Sequence, residues 1–188
     1  MSSRSLHAGI ALVTVAMLGA GKVEGQTLLT GLGRLAVPSE LETWGAIVGP
    51  DGAGLPSGRA TAAEGRVLYD RRCAACHGLT GQEGPDARLA GGRDSLAGDQ
   101  PRKTVGSYWP AATTLWDYVN RAMPFDQPGS LTSDEVYAAV AYVLFLNDLV
   151  DEQDPVDADS LPRIEMPNRA GFVDDPRPDV VAAQAPRP

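Results

Sequence analysis

Cys73-Ala74-Ala75-Cys76-His77 is the stretch on which the reading of this chain turns. Two thiols three positions apart on a helical turn are spaced to add to the two vinyl groups along one edge of a porphyrin. The histidine that follows directly then sits beneath the iron as an axial ligand. C-x-x-C-H is accordingly a c-type haem attachment sequence. The competing readings are a disulfide and half of a zinc site. A thioredoxin-type C-x-x-C needs a βαβ context, which the surrounding sequence lacks. A tetrahedral zinc site needs two ligands beyond Cys73 and Cys76, no further Cys exists, and the one His besides His77 is His7, in the leader-like N-terminus. The expectation is one covalent haem c, held by Cys73 and Cys76, with His77 on the iron.

Upstream of the motif, Thr61 followed by Glu64 forms a capping box that predicts a helix from Thr61 to about Cys73. Downstream, residues 78–110 are rich in Gly with Pro interspersed, and read as loop wrapping a large ligand. Ala112 to Ala122 reads as a short helix ended by Pro124. Thr132 with Glu135 is a second capping box, opening a helix to about Asn147. Its run from Val136 to Leu146 is apolar on every face, which fits a helix buried on most sides and is too short for a membrane span. Residues 26–60 carry turn signals at Pro50-Asp51-Gly52 and Leu55-Pro56-Ser57-Gly58 and read as an irregular arm.

The N-terminus has the form of a secretory leader: Arg4, then the apolar segment Ala8 to Ala20, then Val23-Glu24-Gly25 with Gln26 as the new terminus. An uncleaved anchor is the alternative. The leader holds Arg4, Lys22 and Glu24, so its removal takes the net charge from −8 to −9. So acidic a chain, with a sequence pI near 4.7 and no basic stripe, is a poor binder of nucleic acid and suits a partner with a basic face. The expected organisation is a leader over 1–25, an extended arm over 26–60 and a haem domain over 61–150. A C-terminal extension over 151–173 packs on the domain or on a partner, and a disordered tail covers 174–188. A periplasmic location without stable membrane insertion follows from the leader.

Gly65 lies eight residues before Cys73 and Tyr69 four before it, so the two share a helical face. This resembles the N-terminal helix of class I cytochromes c, and Tyr142 then corresponds to the aromatic of their C-terminal helix. The resemblance implies an all-α class I cytochrome c fold packed around one haem, here with an irregular N-terminal arm and a C-terminal tail. Outside the leader, two methionines remain for the second axial position, Met123 and Met166. Both are followed by Pro. The resemblance implies Met123, in a Met-Pro loop just before the final helix; Met166 then fills a surface groove. A Met sulfur is a soft neutral ligand that favours Fe(II) and raises the potential. The resemblance also implies a Pro carbonyl as acceptor for the His77 ring N–H, and Pro85 is the candidate. Arg93, Tyr108 and Trp109 are candidate neighbours of the propionates.

From Thr104 onward the sequence is similar to a narrower group. Ser107-Tyr108-Trp109-Pro110, Arg121-Ala122-Met123-Pro124-Phe125 and Met166-Pro167-Asn168-Arg169-Ala170-Gly171-Phe172 resemble the cytochrome subunits of sulfane dehydrogenase in the Sox system and of sulfite dehydrogenases. That resemblance covers roughly residues 31–173. It implies a monohaem electron relay, not catalytic by itself. A molybdenum-cofactor dehydrogenase subunit would oxidise a sulfur compound, and a downstream cytochrome c would take the electrons. The alternatives are a stand-alone carrier, a subunit of another periplasmic dehydrogenase, and a gas-binding haem sensor, against which Met123 argues.

Overall fold

The capping boxes start their helices where the sequence places them. In the computed structural model, which describes residues 34–43, 47–173, 175 and 177, Thr61 Oγ1 accepts from the Glu64 N–H at 3.3 Å while the Glu64 carboxylate accepts from the Thr61 N–H at 2.7 Å. Thr132 and Glu135 repeat the exchange at 3.3 and 2.8 Å. Each pair satisfies donors that a helix N-terminus otherwise leaves open. The helices, in chain order, are α1 Pro38–Thr43, α2 Ala62–Arg72, α3 Ala74–His77, α4 Val105–Tyr108, α5 Ala112–Ala122 and α6 Ser133–Phe145. The leader and most of the tail beyond 173 lie outside the described residues.

Helix α6 is the axis of the core. Every residue from Val136 to Leu144 is buried, because α2 covers one side, α5 a second, and the arm and the extension the remainder. Helix α2 crosses α6 where Gly65 meets Ala138, and one turn on the Tyr69 and Tyr142 rings pack with centroids 4.9 Å apart. Such a pair adds roughly 0.5–1.5 kcal/mol beyond its buried area. Among the described residues no helix is long and apolar enough to cross a membrane.

The segment 78–110, expected as loop, contains the short helix α4. Its start is another reciprocal cap, Thr104 with Ser107. Ser107 is outside the usual Glu/Gln pattern, which is why the sequence did not signal it. The arm and extension are joined by an antiparallel pair, β1 Arg59–Ala60 with β2 Val156–Asp157. The extension then turns inward: Val156, Leu161 and Met166 are all core residues, Leu161 with no exposed surface. Of the two options for residues 151–173, the structure shows packing on the chain's own domain, and Met166 sits in that core and not in a surface groove.

Candidate haem site

Helix α3 runs from Ala74 to His77 with Cys73 as its N-cap and as the C-cap of α2, so the five motif residues form one tight turn directly after α2. Cys73 is half-buried and Cys76 exposed, and neither is in a disulfide. Burial, above all, pushes the Cys73 thiol up to about 11. The Cys76 thiol is raised chiefly by its hydrogen bond to the Asp86 carboxylate.

The His77 ring is held by a backbone carbonyl. Its Nδ1 lies 2.8 Å from the Ala87 oxygen; facing a carbonyl, that nitrogen must donate, which leaves Nε2 free for a metal. The acceptor is thus Ala87 and not Pro85. The reason is how the loop closes. The Asp86 N–H donates to the Cys76 carbonyl at 3.0 Å, and Gly84 lies so close to α3 that a Cβ there would stand 2.1 Å from the same oxygen. The chain crosses α3 at Gly84, so the first carbonyl to reach the ring lies beyond Pro85. Tyr69 fixes the other end of this loop, its buried hydroxyl donating to the Gly78 carbonyl at 3.0 Å.

Met123 is the C-cap of α5, in extended backbone and half-buried. Met166 is 3% exposed within the core, which removes it from any role that needs a free sulfur. Trp109 packs edge-on to Tyr118 with centroids 5.9 Å apart. Tyr108 meets Phe172 at 5.3 Å, with Lys103 Nζ 4.7 Å over its ring, and its carbonyl accepts from Asn168 Nδ2 at 2.9 Å. Arg93 donates to the Asn147 carbonyl at 2.8 Å, while Asn147 Nδ2 donates to Leu89 and Val143. The end of α6 therefore anchors the loop beyond the motif. Sequence reasoning missed Ala87 and Asn147: a main-chain acceptor has no residue signature, and Asn147 looked like a helix end.

These residues fit a covalent haem. Two cysteines outside any disulfide and a ring nitrogen turned away from its carbonyl lie within the single turn at α3. Cys73, Leu89, Trp109, Met123 and Leu131 pack against the core while keeping apolar surface exposed. Trp116 Nε1 and Thr113 Oγ1, one turn apart on α5, are buried without a partner among the described residues. Orphaned buried donors are rare in folded proteins, and a haem brings two carboxylates.

The cytochrome c family matches residues 62–147. A chain of the solved structure titled "Crystal Structure of the Sulfane Dehydrogenase SoxCD from Paracoccus pantotrophus" is 40% identical, with a TM-score of 0.71 over 84% of this chain and 79% of that one. This chain belongs to the cytochrome c family. No curated protein matches it. The helical cytochrome c fold expected from Gly65, Tyr69 and Tyr142 is the fold observed. Its prosthetic group is covalently bound haem c, on Cys73 and Cys76, and the cytochrome's function is electron transfer.

Proposed function

We propose that this cytochrome is the haem-bearing relay of a molybdenum-cofactor dehydrogenase acting on a sulfur compound, exported to the periplasm and passing electrons singly to another cytochrome. One observation carries the reading. Likeness to the sulfane dehydrogenase chain extends over 84% of this sequence, whereas the cytochrome c family match spans less than half of it. The arm or the extension, or both, must therefore be part of what the two chains share.

When bound, the haem supplies a one-electron Fe(III)/Fe(II) couple. Cys73 and Cys76 fix it to α3. His77, its ring held by the Ala87 carbonyl, would hold the iron through Nε2. Met123 would hold it through its sulfur. Iron held by both residues would be closed to O₂ and peroxide, as a carrier requires. Oxidation of the sulfur compound belongs to the partner.

The test is affinity purification of the natively expressed protein, with molybdenum assayed in the eluate and haem absorption followed as sulfur compounds are added. Co-eluting molybdenum and substrate-dependent haem reduction are expected. A haem protein that elutes alone and is reduced by no sulfur compound would show a stand-alone carrier instead.

A further inference from the structure

Asn147, just past the end of α6, is 6% exposed. Its Nδ2 donates to two carbonyls, Val143 of its own helix at 2.8 Å and Leu89 of the loop beyond the motif at 3.1 Å. Its backbone carbonyl accepts from Arg93 Nη2 of the same loop at 2.8 Å. Gly106 of α4 keeps room for the amide: a Cβ there would stand 2.2 Å from Asn147 Oδ1. Leu89 is held on both sides of its Cα. Its N–H donates to the Gly81 carbonyl at 2.8 Å, and its own carbonyl also accepts from the Val105 N–H at 3.2 Å. Two residues earlier lies Ala87, whose carbonyl takes the His77 Nδ1 proton at 2.8 Å.

Ala87 has no side chain that could fasten it, so its carbonyl stands wherever the backbone on either side is clamped. The Asp86 N–H, bonded to the Cys76 carbonyl, is the clamp before it. Leu89 is the clamp after it, and Asn147 ties that clamp to α6. Hydrogen bonds weaken steeply as they bend or lengthen, so release of Leu89 reaches the ring two residues away. We propose that Asn147 is a positioning residue for the axial histidine: by clamping Leu89 it sets where the Ala87 carbonyl meets the His77 ring. A well-placed acceptor on Nδ1–H makes Nε2 a stronger base, which favours Fe(III); a displaced one favours Fe(II). Asn147 thus tunes the iron from the end of α6 without touching it. The inference holds whichever partner supplies the electrons, and it rests on the reading of His77 as an iron ligand.

The test uses the full holo-protein and two readouts. One is solvent exchange of the His77 Nδ1 proton, followed by NMR in the diamagnetic ferrous state. The other is the Fe(II)/Fe(III) ratio at a fixed ambient potential. Asn147→Leu keeps the volume and removes the donor to Leu89. Gly106→Ala keeps every polar group but pushes the amide aside, and it carries the test if the first variant does not load haem. Each should speed exchange roughly fivefold, the worth of one hydrogen bond, and raise the Fe(II)/Fe(III) ratio roughly threefold. Val156→Ala removes a buried core side chain where the arm and extension pair. It should lower the melting temperature and leave both readouts unchanged. If neither readout moves in the Asn147 and Gly106 variants, or if Val156→Ala moves them equally, the positioning role is overturned and His77 remains a ligand. A ratio that shifts without faster exchange overturns it as well, since the effect would then bypass the ring. A wild-type His77 ring whose protons carry no haem ring-current shift would overturn the ligand reading and this inference together.

Discussion

Gly65 brings α2 into backbone contact with Ala138 of α6: a Cβ at position 65 would stand 1.9 Å from the Ala138 carbonyl oxygen and 2.9 Å from Tyr142 Cβ. A clash with backbone cannot be relieved by a rotamer change. Overpacking ordinarily costs 1–3 kcal/mol, and Gly65→Ala should lie at or above about 3 kcal/mol for that reason. Denaturant unfolding of the holo-protein checks this; a loss below about 1 kcal/mol would mean the helices can separate cheaply.

Gly84 plays the corresponding part beneath the motif. Gly84→Ala would press on the Cys76 carbonyl and lift the loop that carries Ala87. The His77 ring N–H then loses its acceptor and the imidazole becomes a weaker base, which favours Fe(II). The reduction potential should rise while haem remains covalently attached, as pyridine haemochrome spectra and redox titration would show. An unchanged potential would mean that the Ala87 contact does not tune the iron.

The two methionines should separate cleanly. Met123→Ala should abolish the weak far-red sulfur-to-iron band of the ferric protein and lower its potential. Met166→Ala should keep the band and cost about 2–5 kcal/mol of stability, as a buried side chain lost from the core. Loss of the band in the Met166 variant alone would reverse the assignment.

Truncation distinguishes the extension from the tail. Deleting residues 155–188 removes Val156, Leu161 and Met166 from the core, and the domain should lose cooperative unfolding or melt far lower. Deleting 178–188 should leave the melting temperature unchanged. Asn168→Ala, which forfeits the bond to the Tyr108 carbonyl, should cost about 1 kcal/mol.

Acid should loosen the loop after His77 through Glu83. Its carboxylate accepts from the Thr80 hydroxyl and from the N–H groups of Thr80 and Gln82, and these bonds hold it down to about 2 from an ordinary 4.5. The folded value lies below the unfolded one. Its stabilisation is therefore present above about pH 4.5 and is lost as pH falls from there towards 2. Hydrogen exchange of the 78–86 amides should rise across that window, and Glu83→Gln should flatten the rise.

Much of this was legible in the residues. Both capping boxes and the helix Ala112–Ala122 are local patterns, and local patterns survive in a sequence because neighbouring residues alone satisfy them; the Gly65–Tyr69–Tyr142 crossing was legible only through the resemblance to class I cytochromes c. The short α4 was missed because Ser107 replaces the usual acidic partner of Thr104. The resemblance to class I cytochromes c points to Pro85 for the His77 ring, whereas the acceptor is the Ala87 carbonyl, a main-chain group that every residue carries.

By itself the sequence determined the chemistry of the site: C-x-x-C-H at 73–77 can hold only a covalent haem once zinc and disulfide are set aside. It also determined the net charge of the chain, −8, since net charge is a property of composition. Tertiary structure alone decided which carbonyl meets His77, which methionine is buried, and that the extension belongs to the core. Those outcomes depend on where the chain crosses itself, at Gly84 over α3, at Asn147 over the loop, and at β1 beside β2. A crossing is fixed by packing between residues far apart in the chain, and no local pattern records it.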